Sequence, residues 1–240
     1  MACRDLGRLQ EAADWYRQCL TASRGLGERW EAYPLFDLAL VCHDQGRSDE
    51  AISHLQRCLN VFRFLGDCAW EAAALRSLGD LYQDTGRLDE ALACLYQALR
   101  VFCELGDEHW QAWILRSLGD TYRRQGRPET AVACLDRSLE LLRRFGDRRG
   151  QAGALFSLAS AHHDQGRLED AREHLEAALS LFRELGFALW QARTLALLGD
   201  VLAQQGEPSA GRAAWQQALG IFSRLGAPEA APLRSRVDAR

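Results

Sequence analysis

The segment LRSLGDLYQDTGRLDEALACLYQALRVFCELGD at residues 75–107 returns forty residues later, at 115–147, as LRSLGDTYRRQGRPETAVACLDRSLELLRRFGD. No other feature of this chain restricts its fold so much. A fixed period of that length demands a stack of equivalent supersecondary units, each too small to bury its own apolar face. A Gly-Arg pair punctuates the copies at Gly46-Arg47, Gly86-Arg87, Gly126-Arg127 and Gly166-Arg167, with Gly206-Glu207 as a variant. A second glycine follows each pair by twenty residues, at Gly66, Gly106, Gly146, Gly186 and Gly226. Gly7 and Gly27 begin the series 39 residues before Gly46 and Gly66, and Trp30 to Trp70 is again forty, so one residue is missing between Gly27 and Trp30.

Each unit reads as two helices. Leu75, Leu78, Leu81 and Tyr82 fall at helical spacing, and so do Leu88, Ala91, Leu92, Leu95, Ala98, Leu99 and Phe102. Asp84-Thr85-Gly86 stops the first of these helices and Leu105-Gly106 the second, since glycine enters the left-handed region without a Cβ penalty. Asp107 is placed to cap the helix that follows, and Pro128 and Pro208 occupy first-turn positions, where proline costs no hydrogen bond. The alanine slot of Ala12, Ala51, Ala91, Ala131 and Ala171 marks the closest crossing of the two helices, and Gly211 in that slot is expected to weaken its helix. The expected fold is all-α, an α-solenoid.

Leu75, Leu78, Gly79, Tyr82, Gly86, Ala91, Leu95 and Ala98 match the spacing of the tetratricopeptide repeat, and Leu115, Leu118, Gly119, Tyr122, Gly126, Ala131, Leu135 and Ser138 match it again. The chain thus resembles a tetratricopeptide-repeat (TPR) array over roughly residues 1–226, which implies a right-handed superhelix of antiparallel helix pairs. The usual unit has about 34 residues; the six more here are assigned to a longer second helix. This long form is similar to the C-terminal arrays of bacterial signalling NTPases and Streptomyces-antibiotic-regulatory-type regulators, and to kinesin-light-chain and Pins-type adaptors. One array is expected. Residues 1–29 form a partial unit with only a second helix, and 30–68, 69–108, 109–148, 149–188 and 189–226 are five units. Residues 227–240 form a frayed tail or partial helix. The bare N-terminal half-unit suggests an array taken from a longer parent protein.

Charge and hydropathy narrow the function. The net charge of −4 offers no basic field for nucleic acid, and the apolar runs are short and interrupted, so no membrane contact is expected. Residues 1–20 carry Arg4, Asp5, Arg8, Glu11 and Asp14, unlike a signal peptide, so the expected location is cytoplasmic. All 29 basic residues are arginine, which we read as GC-rich coding.

The eight cysteines make no CxxC and follow the repeat, with Cys94 matching Cys134, Cys19 matching Cys58, and Cys3 and Cys42 standing in the slot of Tyr82 and Tyr122. They read as small packing residues. His162, His163, Asp164 and His174 are the densest metal-like group, but His162 takes the packing-tyrosine slot and His163 falls on another side of its helix. Ser77, Ser117 and Ser157 recur without His-Asp partners in register, and no phosphate-binding GxxxxGK[ST] is present. The expectation is a chain that is not an enzyme, with no metal and no cofactor.

In TPR-like stacks the first helix of each unit lines the concave groove, and the resemblance carries those slots onto this sequence. They hold Tyr33, Phe36, Leu40, His43 and Asp44; then Ala73, Arg76, Asp80, Gln83 and Asp84; then Trp113, Arg116, Asp120, Arg123 and Arg124. The fourth unit offers Gly153, Phe156, Ser160, His163 and Asp164, and the fifth Arg193, Ala196, Asp200, Ala203 and Gln204. The candidate peptide-binding residues drawn from these are Tyr33, Phe36, Arg76, Asp80, Gln83, Trp113, Arg116, Asp120, Arg123, Arg124, Phe156, His163 and Asp200. Arg76/Asp80 and Arg116/Asp120 are i,i+4 pairs that could satisfy each other in solvent or clamp an extended or helical peptide. Trp30, Trp70, Trp110 and Trp190 open the first helices and read as packing anchors between units. The expected partner is a protein or peptide, in a non-catalytic protein–protein interaction scaffold. The alternatives are a sensor or autoinhibitory segment acting on other domains of a larger regulator, and a receptor for a small signalling peptide.

Overall fold

A computed structural model of the chain describes residues 9–23 and 27–238. Among these residues there are twelve α-helices and no strand: α1 Leu9–Ser23, α2 Glu28–Asp44, α3 Ser48–Leu65, α4 Cys68–Asp84, α5 Leu88–Glu104, α6 Glu108–Arg124, α7 Pro128–Arg144, α8 Arg148–Asp164, α9 Leu168–Glu184, α10 Ala188–Gln204, α11 Pro208–Leu225 and α12 Ala230–Asp238. The chain divides into two compact units, residues 1–121 and 122–240. Within the first, α1 packs on α2, α2 on α3, α3 on α4 and α4 on α5; within the second, the same succession runs from α7 to α12. This is an all-α solenoid of helix pairs, built as the period requires. Gly7 and Cys3 lie outside the described residues.

The turns show why the period is forty. At the end of α4 the amide of Gly86, φ +77°, donates to the carbonyl of Gln83 and that of Arg87 to Tyr82, the paired bonds by which a left-handed glycine satisfies terminal carbonyls. The carbonyl of Arg87 then accepts from Ala91 and begins α5, so only residues 85–87 join the two helices. α4 and α5 are 17 residues each. The second helix is thus no longer than the first, whereas a longer second helix was expected.

Asp107 caps α6 as expected, its side chain accepting from the Trp110 amide at 3.1 Å, and Pro128 and Pro208 begin α7 and α11. In two copies the arginine after the turn glycine covers the tyrosine ring of the preceding helix. Arg87 lies 4.3 Å over Tyr82 and Arg127 4.7 Å over Tyr122, each a cation–π contact.

The core repeats with the sequence. Leu55, Leu95, Leu135 and Leu175 are all fully buried, and so are Ala51, Ala91, Ala131 and Ala171 at the crossing slot. A Cβ placed on Gly79 would stand 3.3 Å from the Ala91 carbonyl oxygen, which is how closely α4 and α5 approach there. Ala91→Leu should therefore overpack the crossing and cost about 1–3 kcal/mol, measured by chemical denaturation against the exposed control Gln97→Ala. Unfolding indistinguishable from wild type would put that interface elsewhere. Gly211 marks a still closer approach in the fifth repeat, where an added Cβ would lie 2.7 Å from the Gly199 carbonyl oxygen. Gly211 is thus required by two helix backbones in contact, beyond the helix weakening read from the sequence.

Rings join successive repeats. Trp70 stacks on Phe62 at 5.7 Å and meets Tyr33 and Phe36 edge-on, Trp110 stacks on Phe102, and Trp190 stacks on Phe182. At the equivalent joint of α7 and α8 the pair becomes Leu142 and Gly150, and a Cβ on Gly150 would come within 2.4 Å of Leu142. The cysteines are mixed in role. Cys42 and Cys58 are buried, with the Cys58 thiol donating to the Ala32 carbonyl at 3.2 Å and pushed up to about 12 by burial. Cys94 and Cys134 are half-buried, whereas Cys19, Cys68 and Cys103 are exposed, a correction to the uniform packing role.

Candidate functional site

The first helices α2, α4, α8 and α10 each pack on the second helices before and after them. In the first compact unit Arg76 donates to Asp80 at 3.1 Å and lies 5.6 Å from the Trp110 ring. One repeat on, the Arg116 guanidinium lies 4.9 Å over Trp113, and its buried Nε has no hydrogen-bond partner. Trp113, Arg116 and Asp120 are all half-buried on α6. Three groove candidates are placed differently. Phe36 and Gln83 are only 8% and 7% exposed, Phe36 being taken up by Trp70. Tyr33 is half-buried, held between Phe62 and Trp70, with its hydroxyl 3.4 Å from Asp67. The aromatic end of the expected groove is thus mostly the joint between α2, α3 and α4.

The second compact unit gathers the other candidates. Arg123 donates to Asp164 at 2.8 Å, Arg124 is exposed at the end of α6, and Phe156 meets Trp190 edge-on. Gly153 and Ser160, which share the nominal groove slots, are buried. Asp200 accepts from Trp215 Nε1 at 3.0 Å and from Arg236 at 2.6 and 2.7 Å. Around it lies a depression of about 340 Å³ floored by Phe156, Ala196, Leu197 and Leu233, with the Arg193–Glu229 and Arg236–Asp200 ion pairs at its rim.

Two arrangements escaped the sequence reading. The first is a set of rungs between consecutive first helices, 41 residues apart: His43 Nε2 to Asp84 at 2.8 Å, Arg123 to Asp164 at 2.8 Å, and Gln204 to His163 at 2.9 Å. The Asp84 bond holds the His43 pKa above its ordinary value, partly opposed by burial. Comparing each slot with the next slot of the following copy would have exposed these partners. The second is the contribution of α12. Leu233 and Arg236 are forty residues beyond Arg193 and Ala196, so extending the repeat by one more copy places them in groove slots.

The profile of the tetratricopeptide repeat matches residues 1–64, 70–144 and 150–224. The chain belongs to the tetratricopeptide-repeat family. Solved structures of similar fold include BtubC (BKLC) from P. vanneervenii, with TM-score 0.73, 20% identity, and 91% of this chain against 92% of that one covered. A Rap protein complexed with competence and sporulation factor gives TM-score 0.79 at 15% identity, covering 88% of this TPR chain and 58% of the other. A putative kinesin light chain of Podosopora anserina with nearly identical TPR-like repeats gives TM-score 0.60 at 16% identity, over 80% of this chain and 94% of that one. No curated protein matches the sequence significantly. Among the described residues, no helix is long and apolar enough to cross a membrane.

Proposed function

We propose that this TPR chain is a non-catalytic scaffold that holds a peptide or protein segment against its first-helix face. The observation that carries this reading is Arg116. Its guanidinium lies over Trp113, one repeat beyond the Arg76–Asp80 pair, a cation on an aromatic platform suited to carboxylates or backbone carbonyls. Family membership supports a protein or peptide as partner.

A second reading, reception of a small signalling peptide, draws support from the depression beside Asp200, whose apolar floor and charged rim suit one or two anchor side chains. The Rap protein complexed with competence and sporulation factor is a precedent for such reception on this fold.

The test begins with affinity capture of partners by the full chain, followed by calorimetry with the captured segment. Trp113→Ala combined with Arg116→Ala should weaken binding by about 2 kcal/mol or more, roughly thirtyfold, if the pair is the anchor. The loss should grow smaller at high salt, where exposed charges are screened. Thermal stability should change little. A folded double variant with unchanged affinity would remove the site from this face. Loss with Arg236→Ala alone would move it to the depression.

A further inference from the structure

Away from the first-helix face, the hairpin of α2 and α3 brings three ligand-type side chains together. Cys42 lies two residues before the end of α2, on the side facing α3, and is 1% exposed. Glu50 and His54 are one turn apart on α3, hence on one face of that helix. Their ligand atoms and the Cys42 thiol all lie within 4.8 Å of one another, and among the described residues no other His, Cys, Asp and Glu group converges so closely. His54 Nδ1 is buried and has no hydrogen-bond partner.

The repeat explains the opening. The equivalent three slots hold Tyr82, Glu90 and Cys94 in the next copy and Tyr122, Thr130 and Cys134 in the one after, where a ring fills the space beneath Arg87 or Arg127. A cysteine in place of that ring leaves a thiol facing an imidazole. In the fourth copy the slots hold His162, Asp170 and His174, but there His174 Nδ1 is bonded to the Asp170 carbonyl at 2.6 Å and the Asp170 carboxylate to Arg167 at 2.7 Å. There the imidazole Nδ1 is already engaged, whereas His54 Nδ1 has no partner.

We propose that Cys42, Glu50 and His54 form a metal site of the zinc class, a three-ligand clasp across the α2–α3 hairpin with water in the fourth position. Sulfur, imidazole nitrogen and one carboxylate suit Zn²⁺ and exclude the all-oxygen preference of Mg²⁺ and Ca²⁺. Tetrahedral bonds of about 2.0–2.3 Å put ligand atoms roughly 3.3–3.6 Å apart. The site must therefore contract by little more than an ångström, which the Glu50 and His54 side chains can supply by rotation. A zinc-class ion takes the imidazole neutral and the sulfur as thiolate, so binding displaces the Cys42 proton to solvent. Arg47, which now forks onto Glu50, must swing away, while Arg17 and Arg57 remain the other cations near the cluster.

Cobalt(II) titrated into the full-length, reduced, metal-free chain is the direct probe. The expected result is one equivalent showing thiolate-to-cobalt charge transfer and tetrahedral ligand-field bands, displaced by Zn²⁺, together with a melting temperature that rises with free Zn²⁺. Cys42→Ala should abolish the charge-transfer band. His54→Gln, a change on the half-buried edge, should weaken affinity by about tenfold or more, since even outer-shell partners carry about 10–100-fold. His174→Ala should leave both unchanged. A wild-type spectrum without thiolate character, a band that survives Cys42→Ala, or one lost in His174→Ala would each overturn the assignment. Circular dichroism of each variant separates ligand loss from unfolding.

Discussion

Phe102→Ala should lower the unfolding free energy by about 3–5 kcal/mol, the range for deleting a buried phenylalanine. Phe102 is 2% exposed in the core face of α5, and its ring stacks on Trp110 at 5.5 Å with planes 9° apart. Its carbonyl also accepts from the Gln111 side chain at 3.0 Å and from the Asp107 amide, so the end of α5 is fastened to the start of α6 at the same point. The substitution removes the ring and leaves those backbone bonds in place. What is lost is packing between neighbouring repeats, the interaction on which a stack of individually unstable units depends. The exposed neighbour substitution Gln97→Ala should be near neutral in the same denaturation experiment. A loss below about 1 kcal/mol for Phe102→Ala would mean that the ring joints do not couple the repeats.

Leu95→Ala should cost about 2–5 kcal/mol. Leu95 is fully buried, and a Cβ on Gly79 would come within 2.6 Å of its Cγ and 2.8 Å of its Cδ2. The two positions share one space, so they should not behave additively. In the wild-type background Gly79→Ala adds a methyl with no room, a clash of about 1–3 kcal/mol, against about 1 kcal/mol of helix propensity gained. In the Leu95→Ala background the methyl enters the cavity, and only the Ala91 carbonyl oxygen at 3.3 Å still presses on it. The double variant should therefore be more stable than Leu95→Ala alone. The opposite order, read from a four-member cycle of urea melts, would show that Gly79 is needed for something other than the Leu95 side chain.

These two positions also show how far the sequence is legible. Gly79 and Leu95 both stand in the repeat pattern, and burial of Leu95 follows from the period, but the contact between the two needed the structure. The turn glycines, the Asp107 cap and the helix-starting prolines follow from the sequence as well, since each depends only on near neighbours in the chain. The groove slots were less legible. Arg76 and Asp80 form the i,i+4 pair that helical spacing suggests, but Arg123 reaches across to Asp164 in the following copy. Phe36 has a slot that faces outward by register, yet the large ring of Trp70 covers it. Arg236 was hidden by its place in a short terminal stretch whose apolar pattern is weak, although repeat arithmetic gives it the slot of Arg76 and Arg116.

The 41-residue rungs bear on how such a chain can lengthen. Each rung joins one slot to the following slot in the next copy, so a copy that takes part in two rungs uses two adjacent positions. The fourth copy holds both, with Asp164 receiving Arg123 and His163 meeting Gln204. If residues 149–188 were duplicated in tandem, the His163 of one copy would face the Asp164 of the next. That is the same His–Asp pairing already formed by His43 and Asp84 at 2.8 Å. A gene duplication in register would thus arrive with its polar rung already matched in chemistry, while the ring joint would have to adapt from Phe182 on Trp190 to Phe182 on Gly150.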